Sequence, residues 1–288
     1  MRVRNAIVIT ALGFAAASEA QAPPADSKPP PTTDKASTKA PAKKPAKKAE
    51  RPPAIEPEAI AALEKMGTFL RDQESFTVRT ASETDYPLAS GQNIRLIQNG
   101  KLRVKRPDHL RADIISDRKQ RQFFYDGKTF TMNAPAVGYY TSVPAPSTIV
   151  ELAEQLEARY GLQLPLVDLF FWGTEKSNVD QLQTATVVGT SKLDGVEVEQ
   201  YAFRQPGLDW QIWIEKGDRP VPHKLVLTTT DVPTRPEYAV DLDWELGTKH
   251  DDSLFTFVPT KDSQQIALDE LPVQRATEAR SAKNKRSR

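Results

Sequence analysis

At 288 residues, with 39 Lys plus Arg against 38 Asp plus Glu, the chain has room for one large domain or two smaller ones, and its near-neutral balance hides a split. Residues 54–270 hold 23 basic against 33 acidic side chains, while residues 23–53 and 271–288 are each about five charges positive; an acidic body excludes nucleic acid as a partner, because that affinity comes from neutralising phosphates. The absence of cysteine excludes disulfides, thiolate metal sites and lipid attachment behind a cleaved leader, so an exported chain of this kind relies on a packed core.

Residues 1–22 carry Arg2 and Arg4, an apolar run over 6–17, and small-residue cleavage sites ending at Ala20 or Ala22. This is the layout of a secretory signal peptide, and the run is too short to span a bilayer. Export to the periplasm of a Gram-negative bacterium follows. Residues 23–53, with PAKKPAKK among them, contain no large apolar side chain and form an extended, disordered linker. Two roles are open to it: a basic tether to anionic membrane lipid or cell-wall polymer, or a solvated spacer. The basic tail 271–288 reads the same way. That leaves 54–270 as a single folded domain.

The domain opens on a helix with Ile60, Leu63, Met66, Phe69 and Leu70 on its buried stripe. Strand signals follow at 75–86, 93–105, 110–116, 121–125, 129–132 and 137–141. Short connectors, among them the Asp126-Gly127 turn, make these an antiparallel meander. Thr148-Ile149-Val150-Glu151 matches a capping box, and Ile149, Leu152, Leu156 and Tyr160 predict a helix that stops at Gly161. Residues 162–172, including Leu164, Leu166, Val167, Leu169, Phe170, Phe171 and Trp172, are too apolar to face water. They are either a plug completing the core or a lid over a hydrophobic cavity.

Strands resume at 184–192 and 196–203. The clearest local signal is the hairpin over 208–230, where Trp210, Ile212 and Ile214 alternate with Gln211, Trp213 and Glu215 before a Lys216-Gly217-Asp218 turn, and Leu225 and Leu227 carry the apolar face back. In the next strand Tyr238, Val240, Leu242, Trp244 and Leu246 alternate with Ala239, Asp241, Asp243 and Glu245. A last strand is expected at 254–258. The fold class is mainly β with α, one curved antiparallel half-barrel of about eleven strands with helices on its concave face.

No catalytic motif stands out. His109, His223 and His250 lie in separate contexts, and H-E-x-x-H, G-x-S-x-G, P-loop and G-x-G-x-x-G patterns are absent. Asp241 and Asp243 share a strand face and are the one candidate for a hard cation, although paired carboxylates on a solvated face are an ordinary surface. No cofactor is expected. What remains is organised apolar surface. Trp210, Ile212, Leu225, Leu227, Tyr238, Val240 and Trp244 form the expected wall of a ligand site. Its cover would come from Leu152, Leu156, Leu166, Leu169, Phe170 and Trp172.

The order of the parts carries a resemblance. The strand start Pro107-Asp108-x-Leu110-Arg111-Ala112-Asp113, the hairpin Phe124-Tyr125-Asp126-Gly127-Lys128-Thr129, the hairpin from Trp213-Ile214 to Pro222-x-Lys224-Leu225 and the closing Phe255-Thr256-Phe257-Val258-Pro259 resemble the superfamily of periplasmic lipoprotein carriers of the LolA and LolB type. The segments 209–215 and 164–169 look more like a family of predicted periplasmic proteins within that fold. The resemblance implies an open half-barrel with a helical lid, an apolar cavity for lipid or acyl chains and no enzymatic activity. It fits a monomeric periplasmic binding or carrier protein for a hydrophobic ligand. The other reading is an envelope interaction or stress-sensing module with a solid core, acting through its surfaces and basic tether.

Overall fold

The computed structural model describes residues 54–172, 174 and 179–270. The expected leader, linker and tail lie outside the described residues.

Helix α1 (Pro57–Asp72) has proline in its first turn, where the missing N–H costs nothing, and Glu58 at its positive end. It buries Ala59, Leu63, Met66 and Leu70. The first meander is β1 (Ser75–Pro87), β2 (Asn93–Lys105), β3 (His109–Ser116), β4 (Gln120–Asp126), β5 (Thr129–Ala134) and β6 (Tyr139–Pro144). Asp126 closes the β4–β5 turn by accepting from the Lys128 and Thr129 N–H groups, and Gly127 takes φ +82°. A side chain at Gly127 would also meet Asp108, whose Oδ2 lies 2.9 Å from an added Cβ. Helix α2 (Ile149–Tyr160) starts at Thr148, whose hydroxyl accepts from the Glu151 N–H, and ends at Gly161 in the left-handed region.

The second meander is β7 (Thr184–Leu193), β8 (Val196–Gln205), β9 (Leu208–Glu215), β10 (Pro222–Thr229) and β11 (Glu237–Leu246). Asp194 and Gly195, both at positive φ, make the tight β7–β8 turn. β11 lies against β1 from Phe76↔Leu246 to Thr84↔Tyr238, and this long-range pairing fuses the two meanders. Among the described residues, twelve strands form one open sheet in the order β12-β6-β5-β4-β3-β2-β1-β11-β10-β9-β8-β7. The outer edges of β6 and β7 are partly paired, which limits unpaired edges. β12 (Gln264–Gln265) runs parallel to β6. At the far side Ala54 and Glu56 exchange backbone hydrogen bonds with Ala185, and Glu56 accepts from the Val187 N–H.

The expected sheet of about eleven strands is borne out with twelve. Two expectations need correction. Residues 137–141 do not begin as a strand: Pro135–Val137 forms a 3₁₀ turn and pairing starts at Tyr139, after Gly138 in the left-handed region. Residues 254–258 are not a strand at all. The edges of β1 are taken by β2 and β11, so this segment crosses the sheet's outer face as a 3₁₀ turn (Asp252–Phe255) started by Asp251, which accepts from the Ser253 N–H. Phe255 sits edge-on to His109 and His250, and Phe257 packs on Phe124 and Tyr140.

The main core lies between the helices and one sheet face, called here the inner face. One row across it runs Phe76, Val104, Leu110, Tyr125 and Phe130 on adjacent strands, all at most 1 % exposed.

Candidate ligand-binding face

The period of β9, β10 and β11 sets the site. Register places Trp210 beside Leu227 and Leu227 beside Tyr238 in one row, with Ile212, Leu225 and Val240 in the next. Each row continues onto β8, to Phe203 and Tyr201 respectively. Trp210 stacks on Phe203 with centroids 4.1 Å apart and planes 20° from parallel. Trp244, further along β11 on the same face, donates its indole N–H to the Pro222 carbonyl at 2.7 Å and tilts against Phe76. Trp210 has no such partner: its Nε1 is enclosed and unpaired.

The expected cover is α2 and the segment 162–172. Leu152 and Leu156 of α2, with Leu169 and Phe170, are buried in the same cluster as the wall, and Leu166 and Trp172 pack against it half-buried. All thirteen side chains singled out from the sequence belong to the domain's one core cluster or pack against it, with Tyr238 half-buried. Leu166 at φ +54° leads into a 3₁₀ turn, Val167–Phe170, which turns the short run so that Leu169 and Phe170 face inward. Alternation alone marks Tyr201 and Phe203 as wall residues too, on the strand next to β9.

Two arginines sit where α1, the start of α2 and the segment 170–172 come together, and no local pattern marks them. Arg106 follows β2; its backbone N–H bonds the Glu74 carbonyl, and the next carbonyl, Pro107 O, accepts from the Ile149 N–H that starts α2. Its guanidinium carbon lies 5.1 Å from the Phe170 ring centroid, and Nη2 reaches the Leu70 carbonyl of α1 at 3.4 Å. Nε is enclosed without a partner. Arg71 donates from Nη1 to the Trp172 carbonyl at 2.7 Å, pinning the far end of the cover to α1. Burial lowers the pKa of Arg106, and the positive charge of Arg71 lowers it further.

The outer face is polar and self-paired. Arg103, Arg111 and Gln122 converge on Asp113. Burial pushes the Asp113 carboxyl up, but hydrogen bonds from Arg111, Arg103 and Gln122 outweigh it and hold it below the usual range. The three histidines have separate partners: His109 has Asp108, His223 has Glu215, and His250 has Thr77 and Thr248. Asp241 pairs with Lys224 and Asp243 with Arg79, so the two carboxylates raised as cation ligands are engaged in ion pairs. Among the described residues no group of three or more His, Asp or Glu could hold a metal ion, and no helix is long and apolar enough to cross a membrane.

Residues 59–269 match the family DUF2092, described as predicted periplasmic protein. The chain belongs to this family. Its description agrees with the periplasmic location expected from residues 1–22. No curated protein matches the sequence. Similar solved structures include lipoprotein LppX of Mycobacterium tuberculosis (TM-score 0.45, 10% identity, 68% of this chain and 98% of that one). LprF of Mycobacterium bovis follows with TM-score 0.41 and 12% identity, over 73% and 100%. A LolA superfamily protein of Nitrosomonas europaea has TM-score 0.36 and 12% identity, over 69% and 97%.

Proposed function

We propose that this DUF2092 member is a non-enzymatic periplasmic binding or carrier protein for a hydrophobic ligand, a lipid or acyl chain, held between the inner face of β8–β11 and the cover of α2 and residues 162–172. The observation that carries this reading is the Trp210 indole N–H, enclosed in an apolar wall with nothing to donate to. Buried donors are nearly always satisfied, and an oxygen on the ligand's chain, such as a hydroxyl, would supply the acceptor. Burial supplies the affinity, at about 0.8 kcal/mol per methylene, so a dozen methylenes offer on the order of 10 kcal/mol before ordering costs.

A second reading, a solid-cored envelope module working through its surfaces, draws on the burial of Ile212, Leu152 and Leu156, each 0 % exposed. Titration with a fluorescent fatty acid separates the two. A ligand face gives saturable uptake that Leu227→Trp, which adds bulk beside Trp210, abolishes while the fold persists. Failure to take up the probe favours the solid core.

A further inference from the structure

The ligand site has an unspent charge at one end. Arg79, Arg95, Arg103, Arg111 and Arg204 each hold a carboxylate on the sheet. Among the described residues Arg71 and Arg106 hold none, although the folded part carries ten more acids than bases. The Leu70 carbonyl, at 3.4 Å, gives Arg106 only a long hydrogen bond, and its Nε has nothing. A half-buried guanidinium beside a second cation, with its Nε enclosed and no counter-charge, is costly unless something anionic joins it.

Resting on the ligand reading above, we propose that Arg106, with Arg71 beside it, receives the anionic headgroup of the acyl ligand beneath Phe170. The planar guanidinium fork matches a carboxylate or a phosphate, whichever the headgroup carries. The place fits an amphiphile. Arg106 lies where the end of α1, the start of α2 and the 3₁₀ turn of the cover converge, one residue beyond the Ser75↔Lys105 pair. The Trp210 row reaches β1 at Thr84, eight residues from Phe76, roughly 27 Å along the strand. A long acyl chain can lie along that face with its head at Arg106.

The test titrates the full chain with four single-chain ligands of equal length: palmitate, palmitoyl-lysophosphatidylglycerol, palmitoyl-lysophosphatidylcholine and monopalmitoylglycerol. One or both of the first two should bind at least about tenfold tighter than monopalmitoylglycerol, and which one does so tells carboxylate from phosphate. Arg106→Gln should bring that ratio to within about twofold of unity and leave monopalmitoylglycerol binding unchanged, which also shows that the variant is folded. If Arg106→Gln loses the neutral ligand too, Arg71→Gln decides, and a reduced preference with neutral binding intact supports the site. Equal binding of anionic and neutral ligands, or a preference that survives the deciding substitution, overturns the headgroup site alone. Binding of none of the four overturns the hydrophobic-ligand reading with it.

Discussion

Two tryptophans on the strands either side of β10 treat their indole N–H groups differently, and the contrast is where function shows at the scale of a residue. Trp244 gives its hydrogen to Pro222 O, as a structural tryptophan does; Trp210 keeps its own unpaired. Trp210→Phe removes the donor and keeps most of the stack on Phe203. Thermal melting of the ligand-free protein should show a far smaller loss than the roughly 3–5 kcal/mol of a large aromatic-to-alanine change, while titration with a chain-hydroxylated fatty acid should show affinity lowered by about two- to tenfold. Unchanged affinity would mean that no ligand oxygen meets this nitrogen. On the outer face the depressed pKa of Asp113 predicts a pH effect of definite sign. The carboxylate's stabilisation is complete above about 3.9, its ordinary value, and is lost as pH falls through the lower folded value. Urea melts between pH 5 and 2 should therefore fall more gently for Asp113→Asn than for the parent.

Among the elements, those with a strict period were legible from sequence and those placed by their neighbours were not. The hairpin of β9 and β10 announced itself because Trp210, Ile212 and Ile214 share a face. α2 did so through Thr148 and Gly161, whose cap geometry is as expected. Thr148→Ala should accordingly lower stability by about 0.5–2 kcal/mol in a denaturant melt. Residues 254–258 alternate like a strand, yet no edge of β1 is free for them; their phenylalanines serve instead as outer-face packing against His109, His250 and Phe124. Such an outcome depends on pairings between distant parts of the chain, which a local pattern does not contain. Arg106 was illegible for the same reason, since its meaning comes from Leu70 and Phe170, 36 and 64 positions away in the chain.

For the whole molecule, joining two meanders through β1 and β11 gives one sheet with a continuous apolar inner face and an outer face of self-satisfied ion pairs. A sheet covered on one side by helices needs a core there in any case, and that core accounts for most of the buried side chains. It does not account for an unpaired indole N–H at one end and an unpaired guanidinium Nε at the other. A bound amphiphile answers the guanidinium with its anionic head, and a ligand oxygen away from that head, such as a hydroxyl on the chain, answers the indole. The direct measurement is native mass spectrometry of the full chain purified from the periplasm without detergent, followed by organic extraction. The predicted result is a discrete mass adduct that extraction removes and recovers as an acyl lipid. Protein at its own mass alone, with an extract free of lipid, would contradict the account.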